Sequence, residues 1–208
     1  MAMTLKRQSS QKRKLFAAAR IAARHLPPAL PPVLFLTDPV RTPDPVTIAT
    51  MLPPGWGVVF RHFGAPDAAA IAHQLARVCT ARKLSLLIAA DPALALAVGA
   101  DGVHWPHARL GQARRWHGRF ALMTASAHSR RDLADAAACG IDAALLSQVA
   151  GSRSPSARPP LGLLKFRELA RAASLPVYGL GGVDTRTAPG VAGVAGLAAI
   201  DSLSAAFG

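Results

Sequence analysis

A chain of 208 residues with 51% hydrophobic and 17% charged side chains and a mean hydropathy of +0.26 has the apolar content for one packed domain, which excludes wholesale disorder. No apolar run reaches the roughly 18 residues of a spanning helix, so no membrane span is expected. The net charge of +13 would suit an anionic partner, yet seven of those excess charges sit in residues 1–32, which hold no acid, so no specific nucleic-acid role is read from the body.

Those seven are Lys6, Arg7, Lys12, Arg13, Lys14, Arg20 and Arg24. Residues 1–32 therefore read as a basic extension, flexible or helical, ended by Pro27-Pro28-Ala29-Leu30-Pro31-Pro32, which cannot continue a helix. A helix over 12–25 places Leu15, Phe16, Ala19, Ile21 and Ala22 in a weak apolar stripe among arginines. That stripe suits an anionic surface, or the segment is simply solvated. The start is Arg-rich and acid-poor like a transit peptide, and it lacks the apolar stretch of a secretory signal.

The folded body is expected from residue 33. Short apolar runs at 33–37, 57–63, 84–90, 102–104, 120–125, 143–147, 177–180 and 197–200 read as strands buried on both faces. Helical patterns at 66–83, 92–98, 110–116, 130–139, 163–173 and 185–191, with a closing stub, separate them. Eight β/α repeats without hairpin signals predict parallel strands joined by right-handed crossovers. The expected fold is α/β, a (β/α)8 TIM barrel over 33–208, with an open doubly wound sheet as the alternative.

Cys79 and Cys139 lie 60 residues apart in Ala-rich helix faces. They read as buried free thiols, which fits a reducing compartment and a cytoplasmic location. Neither has the clustered partners of a zinc site.

In such a barrel the carboxyl ends of the strands carry the chemistry. Gly179-Leu180-Gly181-Gly182 after the seventh strand suits a phosphate, because glycine lets backbone N–H groups approach an anion; a ligand-free tight turn is the alternative. Ser126 and His128, two residues apart, point to one face if extended, giving a hydroxyl and a proton shuttle. The alternative makes Ser126 or Ser129 a helix cap with His128 in solvent. Arg61 can clamp a phosphate or serve as a surface cation. His104 and His107 lack the carboxylate or thiolate that would complete a metal site, so no metal ligand is assigned. The polar loop 151–160 reads as a lid carrying Arg153 and Arg158, or as a linker without ligand contacts.

The run Ala95-Leu-Ala-Val-Gly-Ala-Asp-Gly-Val-His104, with Ser126-Ala-His128, Pro159-Pro-Leu-Gly162 and Val177-Tyr-Gly-Leu-Gly-Gly-Val183, resembles the thiamine-phosphate synthase family in order and spacing. The resemblance implies a (β/α)8 barrel that joins a pyrimidine pyrophosphate to a thiazole phosphate, releasing pyrophosphate with magnesium. It also brings in a sister activity, a metal-independent thiazole tautomerase, and implies a homodimer. Catalytic roles are implied for His128 and Ser126, and phosphate contacts for Arg61, Gly181 and Gly182.

The chain departs from that pattern at working positions. The Gln-x-Arg-x-Lys of the second strand reads Val59-Phe-Arg61-His-Phe63, and the Asn-Asp pair falls on Ala89-Ala90. The family's two magnesium carboxylates thus fall on Ala90 and Arg109. The lysine of Thr-x-Thr-Lys falls on Pro155, and the last-strand serine falls near Asp201, which is expected to repel phosphate. Arg109 and Arg153 are candidates to replace the metal's charge. The alternatives to synthase chemistry are the tautomerase, with His128 moving the proton, and a non-catalytic phosphate-ligand binder.

Overall fold

The computed structural model describes residues 2–62, 64–151 and 159–208, with side chains from residue 8 onward. Eight parallel strands close into a barrel in sequence order, and the eighth pairs with the first. They are β1 (Val33–Leu36), β2 (Gly57–Phe60), β3 (Ser85–Ala89), β4 (Gly102–Trp105), β5 (Leu122–Ala127), β6 (Ala143–Ser147), β7 (Val177–Leu180) and β8 (Gly196–Ala199). All eight expected strands are present, and the closed barrel displaces the open-sheet alternative.

The helices are α1 (Ala2–Ala22), α2 (Pro45–Met51), α3 (Ala68–Arg82), α4 (Pro92–Val98), α5 (Leu110–Ala113), α6 (Arg130–Ala138), α7 (Leu163–Ala172), α8 (Ala188–Ala192) and α9 (Asp201–Phe207). Single 3-10 turns flank α5 on both sides. Helix α2 has no counterpart in the sequence reading. Its signal is Asp44-Pro45, an N-cap whose carboxylate accepts from the Thr47 amide at 2.9 Å, followed by a proline in the first turn.

Alternation along each strand divides the core in two. Leu34, Leu36, Val59, Leu87, Ala89, Leu122, Leu145, Tyr178 and Ala198 fill the barrel, while Phe35, Val58, Ile88, Val103 and Leu146 face the helices. Because both faces are buried, the strands read as continuous apolar runs rather than alternating ones.

The structure moves the start of the packed body. Residues 2–22 form α1, and Leu15, Ala18, Ala19 and Ala22, at spacings of three and four, are buried in its contacts with α8, α9 and β8. Of the stripe suited to an anionic surface, Leu15, Ala19 and Ala22 are spent inside the molecule, and Phe16 and Ile21 remain exposed. Leu26 then enters the barrel's inner cluster, and the buried Tyr178 hydroxyl donates to the Pro31 carbonyl at 2.6 Å. The boundary expected at residue 33 therefore falls within one packed unit. No helix of the described residues is long and apolar enough to cross a membrane.

Candidate active site

The carboxyl ends of the strands open on a cavity of about 1160 Å³, lined by Arg61, His104, Ser126, His128, Ser147, Gly181 and Gly182 among others. The inward register of β4, β5 and β6 continues through His104, Thr124, Ser126 and Ser147, so strand periodicity itself brings these polar groups together.

His104 lies deepest. Its Nδ1 is 2.9 Å from Thr124 Oγ1 and its Nε2 is 3.0 Å from Ser126 Oγ. Burial, helped by the positive charge of Arg61, pushes the imidazole pKa down to about 3, so the ring is neutral at physiological pH. Sequence reasoning weighed His104 only as a metal ligand. Its position within the inward register of β4 was the signal for this role.

His128 sits just beyond β5. Ser129 is the cap of α6, accepting from the Asp132 amide at 3.1 Å, and Asp132 accepts from the His128 amide at 2.8 Å. Capping thus falls to Ser129, while the His128 side chain lines the cavity instead of pointing to solvent. His128 Nδ1 is 3.0 Å from both the carbonyl oxygen and the hydroxyl of Ser147. A carbonyl can only accept, so Nδ1 carries the hydrogen and Nε2 keeps its lone pair for a ligand.

Gly181 and Gly182 hold φ values of +84° and +67°. A Cβ on Gly181 would meet Gln148 Cγ at 2.6 Å, and one on Gly182 would meet the Ala150 carbonyl carbon at 2.7 Å. Only glycine fits both the conformation and the space. The turn is held by Thr187, whose hydroxyl donates to the Gly182 carbonyl at 2.8 Å. The Gly182 amide finds no acceptor among the described residues and is available to an anion.

Among the described residues three arginines line the cavity, and one of them, Arg186, is paired with Asp184 at 3.2 Å. Arg61 follows β2, its amide donating to Thr37 Oγ1 at 2.9 Å, and its guanidinium pairs with no described residue. Burial lowers its pKa from the ordinary arginine value, against the Asp38 carboxylate and with the Arg41 charge, yet it stays protonated. Arg41 instead grips Asp201 through Nε to Oδ1 at 2.9 Å and through Nη2 to Oδ2. The repulsion expected of Asp201 is corrected accordingly: its charge is neutralised in place by Arg41.

Other expected residues lie elsewhere. Arg109 lines a separate cavity of about 420 Å³ and donates to the Ala90 carbonyl at 2.7 Å and to Gln112 Oε1 at 2.8 and 3.0 Å. As a replacement for metal charge in the main cavity it is misplaced, because its guanidinium is spent on these contacts. Arg153, with Arg158, falls outside the described residues. His107 faces away from His104 toward α6, with Nε2 3.4 Å from Asp135. Cys79 is buried, and burial raises its thiol to about 12, while Cys139 is half-buried.

The residues at the magnesium positions do not fit that ion. A hard dication takes oxygen ligands, whereas Ala90 offers a methyl group and Arg109 a cation bound to the Ala90 carbonyl. Neighbouring Asp91 is engaged as the cap of α4, accepting from Leu94 at 2.9 Å. Among the described residues no group of three or more His, Cys, Asp or Glu side chains could hold a metal ion.

The thiamine monophosphate synthase family model matches residues 43–203. The chain belongs to that family. It is 32% identical over 138 residues to a thiamine-phosphate synthase of Synechococcus sp. (strain WH7803), covering 64% of this chain and 39% of the relative. It is 35% identical over 120 residues to that of Roseiflexus castenholzii, covering 53% of this chain and 50% of the relative. The chain thus spans half or less of the length of these curated relatives. Its barrel superposes on the thiamine phosphate pyrophosphorylase from Pyrococcus furiosus with a TM-score of 0.71 at 21% identity, over 84% of this chain and 91% of that one. At that identity the superposition speaks for the fold.

Proposed function

We propose that this family member works in thiamine biosynthesis, joining a pyrimidine pyrophosphate to a thiazole phosphate without magnesium at the family positions. The observation that carries the reading is the Arg61 guanidinium, which pairs with no described residue, lining a cavity that also holds the Gly181-Gly182 turn. Arg61 is half-buried, and a partly desolvated cation without an ion pair gains from an anionic ligand.

On this reading the glycine turn and its free amide hold the thiazole phosphate. Arg61 and Ser126 receive the pyrophosphate oxygens. The thiazole nitrogen forms a bond to the pyrimidine's methylene carbon as the carbon–oxygen bond breaks, and pyrophosphate leaves with the electron pair. Arg61 stabilises the charge that collects on that leaving group, and the low-dielectric barrel interior strengthens its effect. The active assembly is a homodimer, as the family resemblance implies.

A second reading is favoured by His128. Its free Nε2, aligned by Ser147, suits a base that moves one proton on a thiazole, the tautomerase reaction.

Turnover of the full chain with both substrates, in chelator and in added magnesium, decides between them. Thiamine phosphate formed equally in both conditions, and lost in Arg61→Met, is the expected result. No product, with thiazole isomerisation that disappears in His128→Asn, selects the tautomerase.

A further inference from the structure

His104 and Thr124 are register partners on β4 and β5, and both side chains point into the barrel. Thr124 is fully buried and His104 is 4% exposed, so neither group can turn to solvent. The neutral imidazole carries one hydrogen, which leaves two ways to satisfy the chain Thr124–His104–Ser126.

In the first, Thr124 Oγ1 donates to Nδ1, and Nε2–H donates to Ser126 Oγ. In the second, Nδ1–H donates to Thr124 and Ser126 donates to Nε2. The second strands the Thr124 hydroxyl hydrogen, because among the described residues His104 Nδ1 is the one acceptor that the Thr124 hydroxyl reaches. A buried donor left without an acceptor is penalised far more than a made hydrogen bond is rewarded, so the first arrangement wins. Ser126 then accepts from His104, and its own O–H has no acceptor among the described residues and lines the cavity.

We propose that Thr124 and His104 form a fixed hydrogen-bond relay that makes Ser126 an obligate donor to a phosphoryl oxygen of the ligand. His104 and Thr124 are then positioning residues, acting through Ser126. The inference rests on the reading of this cavity as an anion site and deepens it. Ser126 provides a directed O–H into the cavity that the Arg61 guanidinium also lines, so a donor and a cation are both available to phosphoryl oxygens there.

The relay is tested in the wild-type protein by long-range 1H–15N correlations of the imidazoles, with His104 assigned by its absence in His104→Gln. The expected signature is Nε2–H with an unprotonated Nδ1, and an Nδ1–H ring overturns the relay. Calorimetric titration with inorganic pyrophosphate supplies the second arm. Ser126→Ala and His104→Leu are each expected to weaken binding about ten- to hundredfold. The double variant should be no weaker than Ser126→Ala, and His104→Gln, whose amide can still donate to Ser126, should recover part of the loss. Additive losses would mean that His104 does not act through Ser126. Failure of the wild type to bind pyrophosphate would overturn the anion reading itself, and Ser126's ligand with it. Wild-type binding with the wrong tautomer overturns the relay alone.

Discussion

Arg41, in the loop after β1, and Asp201, at the start of α9, lie 160 residues apart and meet as a two-point guanidinium–carboxylate pair at the rim of the cavity. The Asp38–Thr42 turn makes that reach reproducible. Asp38 accepts from the Arg41 amide at 3.0 Å, and Thr42 closes the turn with 2.8 Å bonds to the Asp38 amide and carbonyl. The acid near the family's serine position is thereby balanced, as Asp184 is by Arg186, so among the described residues Arg61 is the cavity's arginine without an acid paired to it.

The pair sets anion affinity in opposite directions. Asp201→Ser frees Arg41 and is expected to tighten pyrophosphate binding about fivefold, a size typical of a partly exposed pair. Arg41→Ala exposes the carboxylate to the ligand and weakens binding by a similar factor. Titration at two salt concentrations checks the origin, because an electrostatic effect shrinks as salt rises.

Gly182→Ala places a methyl group against the Ala150 carbonyl carbon in a residue at φ +67°. The left-handed conformation alone costs roughly 1–2 kcal/mol for a non-glycine residue, and the contact adds to it. Urea unfolding should show the lost stability, and phosphate titration should show a disproportionate loss of affinity as the turn shifts. Wild-type affinity in this variant would remove the turn from the anion site.

Helix α1 contributes to stability rather than trailing from the barrel. Leu15→Ala removes a buried side chain and is expected to destabilise the protein by about 2–4 kcal/mol, visible as a lower urea midpoint with an unchanged slope. An unchanged midpoint would mean that α1 packs without holding the barrel together.

Acid weakens the fold through His104. Its folded pKa of about 3 lies below the ordinary histidine value of 6.5, so the unfolded chain binds a proton that the folded one refuses. Stability from this group is complete above pH 6.5 and falls as pH drops toward 3, by up to about 1.4 kcal/mol per pH unit. His62 adds in the same direction, because burial lowers its pKa too. Unfolding free energies of wild type and His104→Gln at pH 7 and pH 5 should converge on acidification. Parallel pH curves would place the acid sensitivity elsewhere.

The fold was legible because its signals are local. Each strand is a short apolar run with mostly buried side chains on both faces, and several helices are bounded by a side-chain cap or a glycine, as at Asp91, Ser129, Gly99 and Gly140. Helix α2 escaped although Asp44-Pro45 marks its start as Asp91-Pro92 marks that of the equally short α4. Arg61, Ser126, His128 and the glycine pair could be singled out because strand ends define where a barrel keeps its polar groups. Cap and cavity residues at Ser126–Ser129 could not be separated, since that depends on where β5 ends and α6 begins.

What sequence alone determined is the order of eight β/α units and the residue types at their carboxyl ends, both properties of short segments. Tertiary structure decided which groups meet. It spent the stripe of α1 on α8 and α9, joined Arg41 to Asp201, moved Arg109 onto the Ala90 carbonyl and enclosed His104 between Thr124 and Ser126. Partner choice and burial depend on closing the barrel, which brings distant segments within hydrogen-bond reach and removes the water that would otherwise satisfy them.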